Sequence, residues 1–362
     1  MYARLAQATG FTPPCAKRAV LDMTTMSPGD SELMAEVERY LGYHPQTLRV
    51  HTDTSNFWAI DRGDVLALAG HFYLVAGTMR EQGFGLDDEP KYWVKRAIDC
   101  ENGSRKIIKL VFLEQFNLRL GDSIVRCFRS PAKEARVLER VHRHPQFMRG
   151  FGIRDAAGND VRVIDFIPGP NLERLVWEQP EAHEAYFHGH VPTLLRRLLP
   201  CLEGLRFLHE QDERHGDVRP DHVILDDETG LFRWIDFDYE FAHPEAPFSL
   251  DILGVGNIIA MIVGKGVIDS HRLDRDPALA GVLDRLGADD LSLIDRGRLM
   301  NLRKAYPYIP EELNRVLLHF SGGAEIFYDT INEVLEDLGD AVSRLITPDT
   351  AGGETCHSDS RT

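Results

Sequence analysis

Residues 215–238 constrain this chain more than any other stretch. His215, Gly216 and Asp217 lead into Arg219, Pro220, Asp221 and His222, and Asp236, Phe237 and Asp238 follow the apolar pair Trp234-Ile235. Between these polar clusters, Val223-Ile224-Leu225 and Phe232-Arg233-Trp234-Ile235 flank the turn-rich segment Asp226-Asp227-Glu228-Thr229-Gly230. That pattern predicts a β-hairpin. A hairpin brings its two flanking loops together, so Asp217, His222 and Asp236 are expected to converge. Carboxylates are hard donors for a divalent cation and accept protons, which suits metal binding and the positioning of a hydroxyl. The same residues also fit a solvated acidic hairpin, or a hydrolase-type metal site made of His215, Asp217, His222 and Asp236. The rest of the chain has to decide between them.

With 362 residues, 43% of them hydrophobic and 27% charged, the chain is long enough to bury one large bilobal core or two domains. No apolar run approaches the roughly 18–20 residues that span a bilayer, and the first twenty residues lack the apolar centre of a signal peptide. Cys15, Cys100, Cys127, Cys201 and Cys356 form no C-x-x-C pair, so neither a zinc knuckle nor a disulfide framework is indicated. A cytoplasmic location is the simplest expectation. The net charge of −16 argues against a general nucleic-acid binder, which relies on Lys and Arg to neutralise phosphates.

Residues 1–29 are expected to be disordered, with translation able to begin at Met23 or Met26. Residues 30–69 form an extension of one helix, capped by Ser31 and ended by Gly42, with strand after it. Leu33, Met34, Val37, Tyr40 and Leu41 fall on one face of that helix. Short strands are predicted at Phe57–Ile60, Val65–Leu68, Phe72–Thr78, Tyr92–Ile98 and Ile107–Phe112, with a tight turn at Asn102-Gly103. Alternation puts Lys109 on one face with Ile107 and Val111, where an amine needs a counter-charge or a ligand. The alternative is an edge-strand lysine that blunts pairing. Ser130 and Pro131 open a helix whose stripe includes Val137, Leu138 and Val141. Two strands follow within 151–167. An apolar helix over Pro192–Gln211, bent at Pro200, delivers the chain to His215. His209 reads as a helix-end histidine. Another helix begins at Ser249, and the remainder to 345 is predicted helical, with Ile326, Tyr328, Ile331, Val334, Leu335 and Leu338 in its core. Residues 346–362 are a polar tail expected to be disordered.

The two clusters resemble the catalytic loop and metal-binding loop of the protein-kinase-like superfamily, H-R-D-x-x-x-x-N followed by D-F-G. This chain departs from that pattern at His222, where the family has asparagine, and at Asp238, where it has glycine. The resemblance implies an α+β, bilobal protein-kinase-like fold: a β-rich N-lobe over 70–167 and a helical C-lobe over 168–345. Only about a dozen residues separate Asp238 from the next helix and no A-P-E motif appears, so a short activation segment is implied. That abbreviation is similar to aminoglycoside-phosphotransferase-like and other atypical branches.

The resemblance further implies ATP and Mg²⁺ as cofactors, with Mn²⁺ possible because His222 offers nitrogen. Asp217 and Arg219 would be catalytic, and Asp236 and His222 would hold the metal. Lys109 would grip phosphates and pair with Glu134, while Asp165 and Ile167 would offer backbone contacts to adenine. Gly83 and Gly85 resemble the end of a Gly-rich phosphate loop, although an ordinary hairpin loop fits them equally. Asp251 would buttress the catalytic loop. The implied activity is transfer of the ATP γ-phosphate to a hydroxyl acceptor, on a protein Ser/Thr or a small molecule. The alternative is a nucleotide-binding pseudokinase with a regulatory or scaffolding role. No nucleic-acid or membrane partner is expected, and the sequence is silent on oligomeric state.

Overall fold

A computed structural model describes residues 19–21, 28–80, 89–120, 123–241 and 246–346. Gly83 and Gly85, the first eighteen residues and the tail from 347 lie outside these. The chain divides into two compact units, each described separately below. The first comprises the residues up to Phe116, Cys127–Ile167 and Asp238–Glu240; the second comprises Asn117–Arg126, Pro168–Phe237 and the residues from Phe241 onward.

The first unit opens with β1 (Ala19–Leu21), α1 (Pro28–Leu41), β2 (Leu48–His51), β3 (Val65–Leu68) and β4 (His71–Arg80). The chain continues with β5 (Pro90–Asp99), β6 (Arg105–Lys109), β7 (Gln115–Leu120) and β8 (Ser123–Arg129), of which Asn117–Arg126 belong to the second unit, and then α2 (Pro131–Val141), β9 (Gly150–Arg154) and β10 (Asp160–Asp165). One eight-stranded sheet orders these strands β1-β2-β3-β4-β5-β6-β10-β9. Period-two alternation feeds both of its faces. Leu66, Leu68, Tyr73 and Val75 join Ile108, Leu110, Val161 and Val163 in one core. Val65 and Leu74, one residue out of phase, join Leu33, Met34 and Val37 of α1 in another. The helix of the N-terminal extension is therefore a core element of this unit.

The β5–β6 turn forms where Asn102-Gly103 predicts it: Gly103 takes φ 75°, and the Gly103 N–H donates to Asp99 O at 2.8 Å. Phe57–Ile60 does not form the expected strand. Phe57–Ala59 is a 3₁₀ turn, because β2 and β3 pair in parallel and the chain between them must cross over rather than pair. The strand expected over Ile107–Phe112 stops at Lys109.

The second unit contains α3 (Leu172–Trp177), α4 (His183–Gly189), α5 (Val191–His209), β11 (Val223–Leu225) and β12 (Phe232–Trp234). After β13 (Tyr239–Phe241) come α6 (Ser249–Val263), α7 (Ser270–Arg275), α8 (Glu311–Leu318) and α9 (Ile331–Ile346). Strands β11 and β12 are the predicted antiparallel hairpin, with Val223 opposite Trp234 and Leu225 opposite Phe232. Strands β13, β8 and β7 form a three-stranded sheet in that order. Helix α5 is apolar along one side, and Leu195, Leu198, Leu202, Leu205 and Leu208 are fully buried.

The remainder to 345, predicted helical, includes 3₁₀ turns at Pro277–Leu279, Leu283–Arg285, Ala288–Asp290 and Leu302–Lys304. Helix α9 begins only at Ile331. Ile326, expected in the core, is 71% exposed because it precedes the helix, whereas Ile331, Val334 and Leu338 are buried. Among the described residues no helix is long and apolar enough to cross a membrane.

Gly254 lets α6 approach the polar loop at Asp217 closely. A Cβ there would lie 2.4 Å from Val218 O. Gly254→Ala should therefore destabilise the protein by about 1–3 kcal/mol, because backbone on one side and helix on the other leave no room to yield. Urea denaturation followed by circular dichroism measures this; an unchanged midpoint would contradict the close approach.

Candidate active site

In the first unit the site is built on buried charge. Ser130 caps α2 by accepting from the Lys133 N–H at 3.2 Å, and Pro131 stands in its first turn. One helical turn later Glu134 points into the sheet. Lys109 Nζ donates to Glu134 Oε1 at 2.7 Å, with the two side chains 2% and 0% exposed. The expected pair is present.

Sequence reasoning missed the rest of the network. Arg162 lies directly opposite Lys109 across the β6–β10 ladder, and its Nε donates to Glu134 Oε2 at 2.9 Å. Asp238 Oδ2 lies 3.1 Å from Lys109 Nζ and 2.6 Å from Arg129 Nη1. Arg129 also donates to Tyr239 Oη at 2.7 Å, and its Nη2 lies 3.4 Å from Glu114 Oε2. Tyr239 Oη donates to the same Glu114 oxygen. Lys133 Nζ donates to the Tyr239 carbonyl at 2.8 Å. Signs alternate from Glu114 through Arg129, Asp238, Lys109 and Glu134 to Arg162.

Asp165 closes β10, and its carboxylate accepts from Lys106 Nζ at 2.6 Å. Its N–H donates to Arg149 O at 2.8 Å. No hydrogen bond to the main-chain N–H or C=O of Ile167 occurs among the described residues.

In the second unit Asp251, on the first turn of α6, organises the loop before the hairpin. It is buried, and its carboxylate accepts from the N–H groups of His215 (2.7 Å) and Gly216 (2.8 Å). His209 Nε2 lies 3.1 Å from Asp251 Oδ2. Burial alone would raise the Asp251 pKa. The hydrogen bond and charge of His209, the charge of His215 and the Gly216 N–H outweigh burial and hold the pKa at about 2. His209, read from sequence only as a helix-end histidine, thus has Asp251 as its partner.

Asp217, Arg219, His222 and Asp236 come together in this unit. The Asp217 N–H donates to His215 Nδ1 at 3.3 Å. The Arg219 guanidinium binds Asp221 through Nε at 3.0 Å and through Nη2, and lies 3.9 Å from Asp217 Oδ1. His222 is buried with its Nδ1 2.9 Å from the Asp217 carbonyl. Its Nε2 faces Asp236 Oδ2 at 3.6 Å and Asp221 Oδ2 at 3.8 Å. Asp236 adopts left-handed backbone, φ 60°, a conformation uncommon outside glycine that clusters at functional sites. The Asp217 pKa is raised, first by burial and then by Asp236 and Asp221, against the opposing charges of His222 and Arg219. A carboxylate moved toward neutral pH is a better proton acceptor.

No group of three His, Cys, Asp or Glu side chains among the described residues is placed to hold a metal ion. Asp236 and His222 supply a carboxylate oxygen and an imidazole nitrogen. Divalent ions held by one or two protein donors are common where substrate phosphates and water complete the shell; the Asp236 carboxylate suits Mg²⁺, and the added imidazole suits a first-row ion that accepts nitrogen.

Two stability predictions follow from the buried charges. Glu134→Gln leaves Lys109 and Arg162 facing each other and should cost about 3–5 kcal/mol. Lys109→Met leaves Glu134 still held by Arg162, and should cost clearly less in the same chemical denaturation. Equal losses would contradict the shared carboxylate. For Asp251 the folded pKa lies below the unfolded one, so its contribution is present above about pH 4 and is lost as pH falls through about 2. Asp251→Asn should be about 2 kcal/mol less stable than the natural protein at pH 6, with the gap closing toward pH 2. A gap independent of pH would reject the charge argument.

No family model matches the chain. Over 147 residues, 40% of its length, it is 25% identical to the MAP kinase kinase kinase SSK2 of Saccharomyces cerevisiae. Over 98 residues, 26% of its length, it is 34% identical to the probable inactive leucine-rich repeat receptor kinase XIAO of Oryza sativa subsp. japonica. These matches span 8% of the length of each relative. Among solved structures, the Cydia pomonella granulovirus kinase PK-1 aligns with 73% of this chain and 93% of its own, at 13% identity and a TM-score of 0.47. With its β-rich N-terminal sheet, its helical C-terminal part and its sequence similarity to kinases over these stretches, the chain resembles the protein-kinase-like superfamily.

Proposed function

We propose that this protein is an ATP-dependent phosphotransferase that moves the γ-phosphoryl group of ATP to a hydroxyl, on a serine or threonine side chain or on a small molecule. The observation that carries the reading is the buried Lys109–Glu134 pair, an amine fixed on a strand by a helix glutamate, as phosphate-gripping lysines of kinases are. Lys109 holds phosphate oxygens, and the main-chain groups of Asp165 and Ile167 meet the adenine. Gly83 and Gly85, outside the described residues, belong to the loop assigned to cover the phosphates.

Catalysis of this kind is positioning and electrostatics. Asp236 and His222 hold the divalent ion, which supplies charge neutralisation on the phosphates when bound. Asp217 orients the acceptor hydroxyl and takes its proton as the new P–O bond forms and the bond to ADP breaks. Arg219 offsets negative charge on the transferring group. The raised pKa of Asp217 supports its role as proton acceptor.

A nucleotide-binding pseudokinase is the second reading. It is favoured by Asp238, whose carboxylate already lies against Lys109 where the family has a glycine. Thermal shift with ATP, with and without Mg²⁺ or Mn²⁺, followed by transfer of labelled γ-phosphate into cell extract, separates the two. Asp236→Ala should abolish transfer, and Asp217→Asn should slow it by on the order of 10²–10⁴-fold. Transfer undiminished in Asp236→Ala would reject the phosphotransferase assignment; metal-dependent binding with no transfer by the natural protein would establish the pseudokinase.

A further inference from the structure

His222 is fixed in a way that decides which of its nitrogens is available. Its Nδ1 lies 2.9 Å from the main-chain carbonyl of Asp217. A carbonyl only accepts, so Nδ1 carries the proton, and in the neutral ring the lone pair is on Nε2. The ring is 6% exposed and cannot swing away without giving up that hydrogen bond. Among the described residues Nε2 makes no hydrogen bond; the carboxylate oxygens of Asp236 and Asp221 stand off at 3.6 and 3.8 Å. A buried imidazole held by a carbonyl on one nitrogen, with the other facing a carboxylate, is how proteins present histidine to a metal.

From this geometry we infer that His222 Nε2 is a direct metal donor and makes the metal position of this chain prefer Mn²⁺, or another first-row ion that accepts nitrogen, over Mg²⁺. The inference rests on the phosphotransferase or nucleotide-binding reading, because two protein donors need phosphate oxygens and water to complete a shell. The physical cause is ligand chemistry. Mg²⁺ demands oxygen donors and gives up water reluctantly, whereas affinity for imidazole nitrogen rises along the first-row series. An asparagine at position 222 would offer amide oxygen and no such bias.

The test uses the full chain with Mn²⁺ and a non-hydrolysable ATP analogue, read by pulsed electron paramagnetic resonance. Directly bound histidine nitrogen modulates the Mn²⁺ echo, and ¹⁵N-histidine labelling of the natural protein changes that modulation without any substitution. The modulation should be present in the natural protein and lost in His222→Asn. Displacement of Mn²⁺ by Mg²⁺ should need on the order of ten-fold more Mg²⁺ in the natural protein than in the variant. Bound Mn²⁺ without nitrogen modulation, or equal displacement from both proteins, overturns the inference while leaving nucleotide binding standing. Calorimetry with the analogue and each metal covers the remaining case: no nucleotide binding with any metal overturns both this inference and the reading beneath it.

Discussion

One carboxylate decides how the first unit assembles. Lys109 and Arg162 are direct neighbours on adjacent strands, and both are buried. Like charges facing each other across a ladder are destabilising, and desolvation makes each cation costlier still. Glu134 gives one oxygen to each. Docking of α2 therefore offsets the charge that this register brings together, and α2 docks with that turn facing inward. The Ser130 cap and the Val137–Leu138–Val141 stripe set the helix start and the face it buries. Two cations sharing a single anion fix its rotation. In a chain with the lysine alone, one ion pair would do this work, and losing that pair would free the helix. Here Arg162 holds Glu134 independently of whatever engages Lys109.

The second unit solves a similar problem with backbone donors. The loop from His215 to Asp217 is irregular, and irregular buried backbone must find acceptors. Asp251 supplies two from the first turn of α6, and His209 at the end of α5 compensates its charge. Gly254, one turn along α6, removes the side chain that would keep the helix away from Val218. Thus the apolar helices carry the burial energy, and one aspartate converts their position into the position of Asp217.

Much of this was legible in the sequence wherever the signal is local. The β11–β12 hairpin announces itself by apolar runs around an acidic turn, α2 by Ser130-Pro131, and α5 by its leucines. The Lys109–Glu134 pair and the buttress at Asp251 came through family resemblance rather than periodicity. What escaped was non-local. Nothing near Arg162 in sequence indicates that it faces Lys109, since that depends on the register of β6 against β10. Arg129 was missed because β7 and β8 were missed, although Gly121-Asp122 between alternating runs is a hairpin signal. Ile326 was misplaced because an apolar periodicity extends past the residue where helix α9 begins, and periodicity alone does not mark a start.

Asp238 ties these strands together. Left-handed backbone favours glycine, and here the left-handed residue is Asp236, not Asp238. A side chain at 238 is therefore sterically free to exist, and its chemistry is what remains to be explained. A lone carboxylate in this core would be costly. Arg129 and Lys109 both reach it, and Arg129 is itself held by Tyr239 and Glu114. The Ser130 N–H, at the cap of α2, donates to the Asp238 carbonyl at 2.7 Å. One residue thus bonds through its main chain to the start of α2 and through its side chain to the lysine that α2 positions. Any anion that approaches Lys109 meets an amine already shared by two carboxylates, so its binding is a competition with Asp238 as well as an attraction to Lys109. That competition, set by the single exchange of glycine for aspartate, is the feature in which this site departs furthest from the pattern its loops resemble.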